Sequence, residues 1–296
     1  MNKMLTIFTP AYNRAKLLHK LYDSLVRQID TNFNWVIVDD GSTDNTQDVV
    51  NAFKKEGRID ITYIKQENGG KMQAHNAGVL ACKTEFFMCV DSDDYLIDDA
   101  VLKLNKQIPS LLADNTLAGC IYYRGKDEKN PLTESRFPDK ERIKIGKLYD
   151  DGFFGDTSIL LKTEILKQYL FPKIEGEKFF PEEYLYLQID KNYDYKLDGE
   201  IIIICEYQAD GYTKNALNTM VKNIKGVCLS IDYKISSTKK LIVKIKNIIR
   251  YIGFSKLANY KDAYNKSNHK FLYIIFYLFG LMYYNKKKRI LHGQKN

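Results

Sequence analysis

The sequence predicts an α/β protein with a doubly wound, mostly parallel sheet, followed by a basic helical C-terminal extension. Two continuous apolar runs, Trp35–Val38 and Phe86–Val90, are typical of parallel strands that are buried on both faces. Segments with apolar residues at helical spacing separate such runs, and this alternation favours a doubly wound sheet. The length of 296 residues suggests one large domain or two modest ones.

The predicted elements follow one another along the first 125 residues. Leu5–Phe8 and Ile59–Ile64 are two further predicted strands. The helices are predicted by Leu18, Leu21, Leu25 and Ile29 after a cap at Asn13, by a cap at Ser42 or Thr43 before a helix to Phe53, and by a cap at Asp98 or Asp99 before a helix to Leu112. Beyond them, residues 126–145 are polar and predicted to be rich in loops, and regular structure resumes at Ser158–Leu161 and Ile201–Cys205.

Charge divides the chain near residue 214. The whole chain has a net charge of +8, but residues 214–296 carry 18 Lys and Arg against two Asp, so that region has a charge of +16 and residues 1–213 have −8. The two parts therefore face different partners. A hydrophobic content of 45% with 28% charged residues excludes a disordered chain or a multispan membrane protein. Five cysteines without a C-x-x-C pair predict neither a disulfide framework nor a zinc site, which fits a reducing cytosol.

Four polar clusters follow the four predicted strands. They are Thr9-Pro10-Ala11-Tyr12-Asn13-Arg14, Asp39-Asp40-Gly41-Ser42-Thr43-Asp44, Asn68-Gly69-Gly70-Lys71 with His75 soon after, and Asp91-Ser92-Asp93-Asp94. Single clusters of this kind also occur as simple turns or helix caps. Four of them at the carboxyl edge of one parallel sheet predict a shared binding site, because ligands bind at that edge. The fourth cluster predicts a divalent cation, since a hard ion relieves the repulsion among three carboxylates.

The clusters, in this order, resemble those of the family 2 glycosyltransferases with the GT-A fold, which include bacterial enzymes that build capsule, O-antigen or teichoic acid polymers. The resemblance covers about residues 3–213. It implies a nucleotide-sugar donor, usually UDP-linked, a Mn²⁺ or Mg²⁺ ion, and inversion at the anomeric carbon.

The resemblance assigns the donor-binding residues. Pro10, Ala11 and Tyr12 match the first nucleotide-binding turn of the family. Asp40 matches the residue that accepts the uracil ring N–H, and Asp39 is expected to support that loop. The full set expected to bind the nucleotide sugar is Pro10, Ala11, Tyr12, Asp40, Asn68, Lys71, Asp91 and Ser92.

Asp91 and Asp93 match the D-x-D signature of the family. The first is expected to contact ribose or metal-bound water, while Asp93 coordinates the metal, which acts as a Lewis acid on the leaving nucleotide. Asp94 is expected to assist or to face the acceptor. Many relatives have Arg where this chain has His75, so Lys71 is expected to supply the positive charge near the donor. The role of His75 stays open between function and structure.

An acidic pair supplies the candidate general base, which takes the proton of the acceptor hydroxyl during inverting transfer. Relatives have an acidic pair at the start of a helix, followed by an apolar and aromatic stretch. Matching Leu185-Tyr186-Leu187 to that stretch places Glu182 at the base position, where relatives have Asp, and Glu183 one step beyond. The alternative is that both carboxylates only stabilise the helix N-terminus after Pro181.

Two further segments match neighbouring parts of the family's site. Asp156 is a candidate for binding a sugar hydroxyl of the acceptor, with a simple loop turn as the alternative. Asp210–Lys214 resembles the segment that closes over the donor, where Thr213 and Lys214 would meet the diphosphate.

The resemblance also divides the chain. We expect a GT-A catalytic domain at residues 1–213, with a nucleotide-binding half at 1–125 and an acceptor-binding half at 126–213, and then a basic helical region at 214–296.

The basic region predicts peripheral binding to an anionic membrane. Phe271–Tyr284 has no charge but, at about 21 Å as a helix, is too short to span a bilayer. Together with the basic amphipathic segment around Leu241–Ile252, it predicts attachment to the inner face of the cell membrane from the cytoplasm. The alternative is that these apolar faces pack on the catalytic domain or on a second copy in a homodimer. No nucleic-acid motif accompanies the charge, so no nucleic acid is expected.

The predicted function is inverting, metal-dependent transfer of a sugar from a UDP-sugar to a lipid-linked saccharide or a cell-surface glycan. One alternative is a sugar-nucleotide pyrophosphorylase, which usually has a Gly-rich, basic loop after the first strand, whereas this chain has Pro10–Asn13 there. Another is a nucleotide-sugar-binding membrane adaptor that has lost catalysis. The intact Asp91-Ser92-Asp93 argues against the adaptor, and Glu182 in place of Asp keeps it open.

Overall fold

The computed structural model describes residues 3–206 and 215–293. Its strands are β1 Leu5–Ala11, β2 Phe33–Asp39, β3 Ile61–Lys65, β4 Phe86–Cys89, β5 Tyr95–Leu96, β6 Leu117–Gly125, β7 Arg142–Ile143, β8 Thr157–Lys162 and β9 Asp194–Ile204. Its helices are α1 Leu18–Val26, α2 Thr46–Glu56, α3 Lys71–Ala81, α4 Ala100–Ala113, α5 Ile145–Asp150, α6 Thr163–Gln168, α7 Glu183–Ile189, α8 Ala216–Lys222, α9 Ile224–Ser237, α10 Leu241–Leu257, α11 Ala263–Lys266, α12 Lys270–Ile275 and α13 Tyr277–Gly293.

The chain forms two compact units. The first comprises Met1–Leu170 and Ile189–Gln208, and the second comprises Phe171–Gln188 and Ala209–Asn296. Residues 171–188 therefore group with the C-terminal helices, although they precede the last strand of the first unit.

One sheet organises the first unit, with the strand order β3-β2-β1-β4-β8-β6-β9-β5 and β7 beside β9. Strands β1 to β4 are parallel neighbours. Strand β8 is antiparallel to both β4 and β6, β6 is parallel to β9, and β5 and β7 are antiparallel to β9. Six of the nine strands in the described residues thus run in one direction. This confirms the predicted α/β fold with a mostly parallel sheet.

The central strands form where the sequence has continuous apolar runs. Leu5, Ile7 and Phe8 of β1 are completely buried, because helices cover both faces of a doubly wound sheet. Trp35 of β2 is also buried, and its indole N–H donates to the Thr9 hydroxyl at 3.0 Å. The predicted strands at the start of the chain are therefore confirmed, and their carboxyl ends share one edge.

Two of the predicted helix caps are wrong. Helix α1 begins at Leu18 with Leu17 at the N-cap, and Asn13 lies upstream with a left-handed φ of 54°. Helix α2 has Asn45, rather than Ser42 or Thr43, at its N-cap. The predicted capping residues are instead used in hydrogen bonds between loops, which a local sequence pattern does not show. Asp99 is the N-cap residue of α4, as predicted, but its side chain makes no capping hydrogen bond.

A half-buried carboxylate ties residues 171–188 to the C-terminal helices within the second unit. Glu177 accepts hydrogen bonds from the backbone N–H groups of Lys225 and Gly226, each at 2.8 Å. These groups lie in the first turn of α9, where N–H groups lack partners in the helix and favour a negative charge. This contact explains why the segment belongs with the second unit.

Helix α10 packs on neighbouring C-terminal helices, so the part of its apolar face around Ile248 and Ile252 is not available to a membrane, and membrane binding by the basic region stays a prediction. Ile248, Tyr251 and Ile252 are buried in a core that includes residues of α9. At the start of α10, Leu241 and Ile242 remain exposed. None of the helices that the structure describes is both long enough and apolar enough to cross a bilayer.

We expect Ile252→Ala to lower the free energy of unfolding of the second unit by about 2–5 kcal/mol, because it leaves a cavity in a packed core. Ile242→Ala, on the same helix but 58% exposed, is the matched control and is expected to change it by less than about 0.5 kcal/mol. Urea unfolding followed by circular dichroism at the helical band measures both. Equal effects of the two variants would contradict the packing of α10 described above.

Candidate functional site

The carboxyl ends of β1, β2 and β4 bring three of the polar clusters together. Pro10 and Ala11 of β1 lie opposite Val38 and Asp39 of β2 in the sheet register. The two strand ends are joined by a hydrogen bond from the Asp40 backbone N–H to the Ala11 carbonyl at 2.8 Å. On the other side of β1, the last residue of β4 lies opposite Phe8, so the fourth cluster begins beside the same strand.

Asn13 connects the loops that follow β1 and β2. Its side-chain oxygen accepts a hydrogen bond from the Thr43 backbone N–H at 2.9 Å, and its own backbone N–H donates to the Ser42 hydroxyl at 2.9 Å. Asn tolerates the left-handed φ at this position better than most residues. The two loops are therefore held as one rigid edge, on which Tyr12 is 48% exposed and presents its aromatic face.

Asp40 is buried and organises the loop that carries Gly69 and Gly70. Its carboxylate accepts hydrogen bonds from the Gln66 side-chain amide at 2.7 Å and from the backbone N–H groups of Gly69 at 2.8 Å and Gly70 at 2.7 Å. Asn68 donates to the Asp40 backbone carbonyl at 2.8 Å. A carboxylate has about four acceptor positions, so this arrangement leaves room for one more donor.

Asp39, buried beside Asp40, supports its own loop, as expected from the sequence. It accepts hydrogen bonds from the Ser42 backbone N–H at 2.7 Å and from the Tyr63 hydroxyl. Gly41, which lies between Asp40 and Ser42, has a φ of 81°, and a Cβ there would lie 2.9 Å from the Asn68 backbone nitrogen. Glycine is therefore required for the close approach of these two loops.

Two basic side chains offset the negative charge of the acidic cluster after β4. The Lys71 ammonium lies 2.7 Å from an Asp91 oxygen, and the Arg124 guanidinium lies 3.8 Å from the other one. Burial opposes ionisation of Asp91, yet the charges of Lys71 and Arg124 hold its pKa below the usual value. Lys71, predicted to contact a phosphate or the nucleobase of the donor, thus makes an ion pair with the D-x-D motif.

Asp94 is buried and faces the protein interior. Its carboxylate lies 3.0 Å from the Arg124 guanidinium and accepts a hydrogen bond from the Cys205 thiol at 3.4 Å. Burial raises the pKa of Asp94 to about 6, helped by the charges of Asp91 and Asp93 and opposed by Arg124. These internal partners favour a supporting role for Asp94, and its predicted contact with the acceptor stays a prediction.

Arg124, at the end of β6, is the residue that the sequence reasoning missed. Besides its two carboxylate partners it donates to the Thr157 carbonyl at 3.2 Å, so its guanidinium is fixed beneath the acidic cluster. A signal was present, because Leu117–Tyr123 is another continuous apolar run and Arg124 follows it directly. A charge at the end of such a run lies at the same edge of the sheet as the four polar clusters.

Asp93 is the carboxylate best suited to bind a cation. Its side chain is half-buried and makes no hydrogen bond or ion pair within the described part of the chain. No group of three or more His, Cys, Asp or Glu side chains among the described residues could hold a metal by itself. Mg²⁺-type ions are commonly held by one or two carboxylates together with substrate phosphates, so Asp93 with Asp91 fits a metal that a diphosphate helps to bind.

The remaining predicted site residues occupy different surroundings. Ser92 is buried between the two aspartates of the motif. His75 is buried, with its ring edge-to-face with Phe8 and Phe87 at centroid distances of 5.7 and 5.4 Å. This aromatic packing is compatible with a structural role, and the role of His75 stays open. Asp156 is exposed, directly before β8.

The candidate bases lie in the second unit, at the start of α7. Glu182 directly precedes the helix, Glu183 is its first residue, and both are exposed. Leu185, three residues after Glu182, is fully buried, as its place in an apolar stretch predicts. The segment Asp210–Lys214, predicted to close over the donor, lies outside the described residues.

The fold and the strand-end site together define a nucleotide-diphosphosugar transferase architecture. The sequence profile described as Glycosyl transferase family 2 matches residues 6–170, which is more than half of the chain. The chain therefore belongs to the family 2 glycosyltransferases, and the resemblance inferred from the motifs is confirmed.

Individual relatives are bacterial proteins named as glycosyltransferases. Glycosyltransferase GlyG of Streptococcus pneumoniae is 32% identical over 129 residues, which are 43% of this chain and 42% of that protein. Poly(ribitol-phosphate) beta-glucosyltransferase of Bacillus spizizenii is 26% identical over 271 residues, covering 86% of this chain and 41% of that protein. The match thus spans less than half of the length of either relative.

Solved structures share the fold. The crystal structure of Staphylococcus aureus TarS 1–349 in complex with UDP has a TM-score of 0.59 at 16% identity, covering 95% of this chain and 89% of that one. A mannosyltransferase from Pyrobaculum calidifontis in complex with GDP-Man and Mn²⁺ has a TM-score of 0.55 at 17% identity, covering 94% of this chain and 73% of that one. At these identities the likeness shows the fold alone.

We expect Arg124→Gln to destabilise the first unit by about 3–5 kcal/mol, because it leaves the buried carboxylate of Asp94 without its cation. Adding Asp94→Asn should recover a large part of this loss, since the remaining partner is then neutral. Urea unfolding followed by the fluorescence of Trp35, the single tryptophan, reports on this unit for both single variants and the double variant. Losses that simply add in the double variant would show that the two residues are not coupled.

Proposed function

We propose that this protein is an inverting, metal-dependent glycosyltransferase that moves a sugar from a UDP-sugar to a lipid-linked saccharide or another cell-surface glycan. The observation that carries the proposal is the juxtaposition of Asp91 and Lys71 beside the loop held by Asp40. One edge of the sheet thus offers the aromatic ring of Tyr12, the buried hydrogen-bond acceptor Asp40, the basic side chain of Lys71 and the carboxylate of Asp93. A nucleoside diphosphate needs each of these.

The base and ribose of the donor bind along the first two clusters. Pro10 and Ala11 form the end of β1 that positions Tyr12, and the exposed ring of Tyr12 stacks on the nucleobase. Asp40 has capacity for one further hydrogen bond, which suits the ring N–H of uracil. UDP in the TarS crystal, a protein of the same fold, supports a uridine donor.

The diphosphate binds near Lys71 and the D-x-D motif. Lys71 pairs with Asp91 in the structure, so a phosphate would compete with that carboxylate for the ammonium. Asp93, together with Asp91, would hold a Mn²⁺ or Mg²⁺ ion against the phosphate oxygens. When bound, the ion supplies Lewis-acid stabilisation of the negative charge on the departing nucleotide. Asn68, which donates to the Asp40 backbone carbonyl, and the buried Ser92 complete the proposed nucleotide-sugar site.

Glu182 takes the proton from the acceptor hydroxyl as that oxygen attacks the anomeric carbon. Its exposure at the start of α7 keeps the carboxylate accessible to an acceptor. Glu183 is the second candidate, because both carboxylates share the helix start and the exposure. A carboxylate at this position also interacts favourably with the partial positive charge of the helix N-terminus.

The names of the relatives and the charge of the chain support the proposed acceptor and location of the enzyme. Poly(ribitol-phosphate) is the acceptor in the name of one relative, which supports a capsule, O-antigen or teichoic acid type of glycan. Residues 1–213 form the catalytic part in this proposal, with Asp156 on the acceptor side and Asp94 supporting Arg124. Residues 214–296 keep the enzyme at the cytoplasmic face of the membrane, where lipid-linked acceptors are assembled.

A panel of UDP-sugars incubated with the purified protein and Mn²⁺ tests the proposed function. Slow hydrolysis of one member identifies the donor, and addition of EDTA should stop it. Hydrolysis of none, together with no binding of UDP by calorimetry, would overturn the proposal.

We expect Asp93→Asn to weaken Mn²⁺-dependent binding of UDP, because a neutral amide is a poorer ligand for a hard cation. Turnover should fall by more than the roughly 10–100-fold that removal of an outer-shell partner costs at metal sites. Calorimetric titration of UDP with Mn²⁺ and with EDTA measures the metal-dependent part. The matched control is Asp23→Asn, an exposed aspartate on α1, which should leave both quantities unchanged. Normal metal dependence in Asp93→Asn would remove Asp93 as a ligand.

We expect Glu182→Gln to bind UDP and Mn²⁺ like the parent but to lose about 10²–10⁴-fold in transfer to acceptor, since glutamine keeps the shape and cannot take the proton. Glu183→Gln is the control, because the two residues have the same helix start and exposure. Single-turnover transfer at saturating donor separates chemistry from binding. An inactive Glu183→Gln beside an active Glu182→Gln would shift the base by one residue, and two active variants would place the base outside this segment.

A further inference from the structure

Helices α12 and α13 carry large apolar side chains that point away from the protein. Six of them are between 50% and 75% exposed: Phe271, Ile274, Ile275, Leu278, Phe279 and Met282. We call these six residues the apolar face. Contiguous exposed apolar surface of this kind is uncommon on soluble proteins and marks an interaction site.

The apolar face is not part of the core of the second unit. Helix α13 packs on α10 through its other side, where Gly280 lies so close to Ile252 that a Cβ would be 2.4 Å from that side chain. Tyr283 also packs there, edge-to-face with Phe254 at a centroid distance of 5.7 Å. The inner side of α13 therefore accounts for its packing, and the stability of the unit does not require the apolar face.

A basic cluster continues the apolar face along the same helix. Leu278, Met282 and Lys286 are spaced four residues apart, so they lie in one row on the helix surface. Lys286, Lys288 and Arg289 are all exposed. The surface thus changes from apolar to cationic within about two turns, an arrangement suited to the boundary between acyl chains and anionic headgroups.

We propose that the apolar face and the basic cluster of α13 form the surface by which this protein docks on an anionic lipid bilayer. Charge selects this partner over a second copy, because residues 214–296 carry a net charge of +16 and two such regions repel each other. An anionic bilayer offers acyl chains for the apolar face and negatively charged headgroups for the basic cluster next to it. The docking surface is therefore on α12 and α13, and not on the buried face of α10.

This surface would hold the enzyme beside the proposed lipid-linked acceptor, and to that extent it rests on the proposed function. Its test needs neither donor nor acceptor. Vesicle co-sedimentation of the full-length chain measures docking directly, while UDP-sugar hydrolysis without vesicles measures the catalytic site. Loss of one with retention of the other shows which of the two proposals fails.

The apolar contribution is tested with Leu278→Ser/Met282→Ser on vesicles that contain phosphatidylglycerol. Binding should fall at least about tenfold, because two large side chains no longer enter the bilayer. The matched control is Ile29→Ser in the first unit, with 68% exposure against 67% for Met282. It should bind like the parent. Circular dichroism and unfolding should be unchanged in both variants, since all three side chains are exposed.

The electrostatic contribution is tested with Lys286→Gln/Lys288→Gln/Arg289→Gln. Each basic residue near an anionic surface contributes roughly fivefold, so the three together should account for about 100-fold in vesicle binding. Lys54→Gln/Lys55→Gln/Arg58→Gln removes two lysines and one arginine from exposed positions of the first unit and serves as the matched control. Binding by the parent should weaken with added salt and on vesicles of phosphatidylcholine alone.

Two results would overturn the proposal. One is a full-length chain that stays in the supernatant with anionic vesicles at low salt. The other is a Leu278→Ser/Met282→Ser variant that binds vesicles normally but changes from dimer to monomer in sedimentation velocity. That outcome would assign the apolar face to a second copy of the chain.

Discussion

Three carboxylates within four residues set the strongest constraint on this structure. Asp91, Asp93 and Asp94 follow β4 directly, and their mutual repulsion has to be offset before the strand end is stable. The compensating cations come from the start of α3 and the end of β6, which are distant from the cluster and from each other in sequence. The acidic cluster therefore depends on the strand order of the whole first unit.

The same compensation prepares the site for a substrate. Asp91 is held ionised by Lys71 and Arg124, whereas the carboxylate of Asp93 has no such partner in the described residues. Asp40 fixes the turn that immediately precedes Lys71 through the backbone N–H groups of Gly69 and Gly70. The buried carboxylate of Asp40 thus links the loop proposed to bind the nucleobase with Lys71, the basic side chain proposed to bind the phosphates. A loop that is already ordered loses less entropy when a ligand binds.

The second unit shows how similar compositions receive different roles. Both α10 and the α12–α13 pair combine apolar and basic residues, and sequence periodicity alone does not separate them. In α10, Ile248 and Ile252 are buried among neighbouring helices, whereas the apolar residues of α12 and α13 remain on the surface. The small residue Gly280 decides the contact, because it lets α13 approach Ile252 closely with its inner side. The outer side of α13 is then left for another partner.

The sequence by itself determined the α/β class, the strands predicted at Leu5–Phe8, Trp35–Val38 and Phe86–Val90, and the family. These follow from local patterns, since buried parallel strands need continuous apolar runs and a parallel sheet brings the clusters after them to one edge. Only the tertiary structure decided that Asn13 joins two loops instead of capping a helix. It also decided that Arg124 pairs with Asp94, and that residues 171–188 belong with the C-terminal helices. Each of these depends on contacts between residues far apart in the chain, which hydrophobic periodicity along a single segment does not encode.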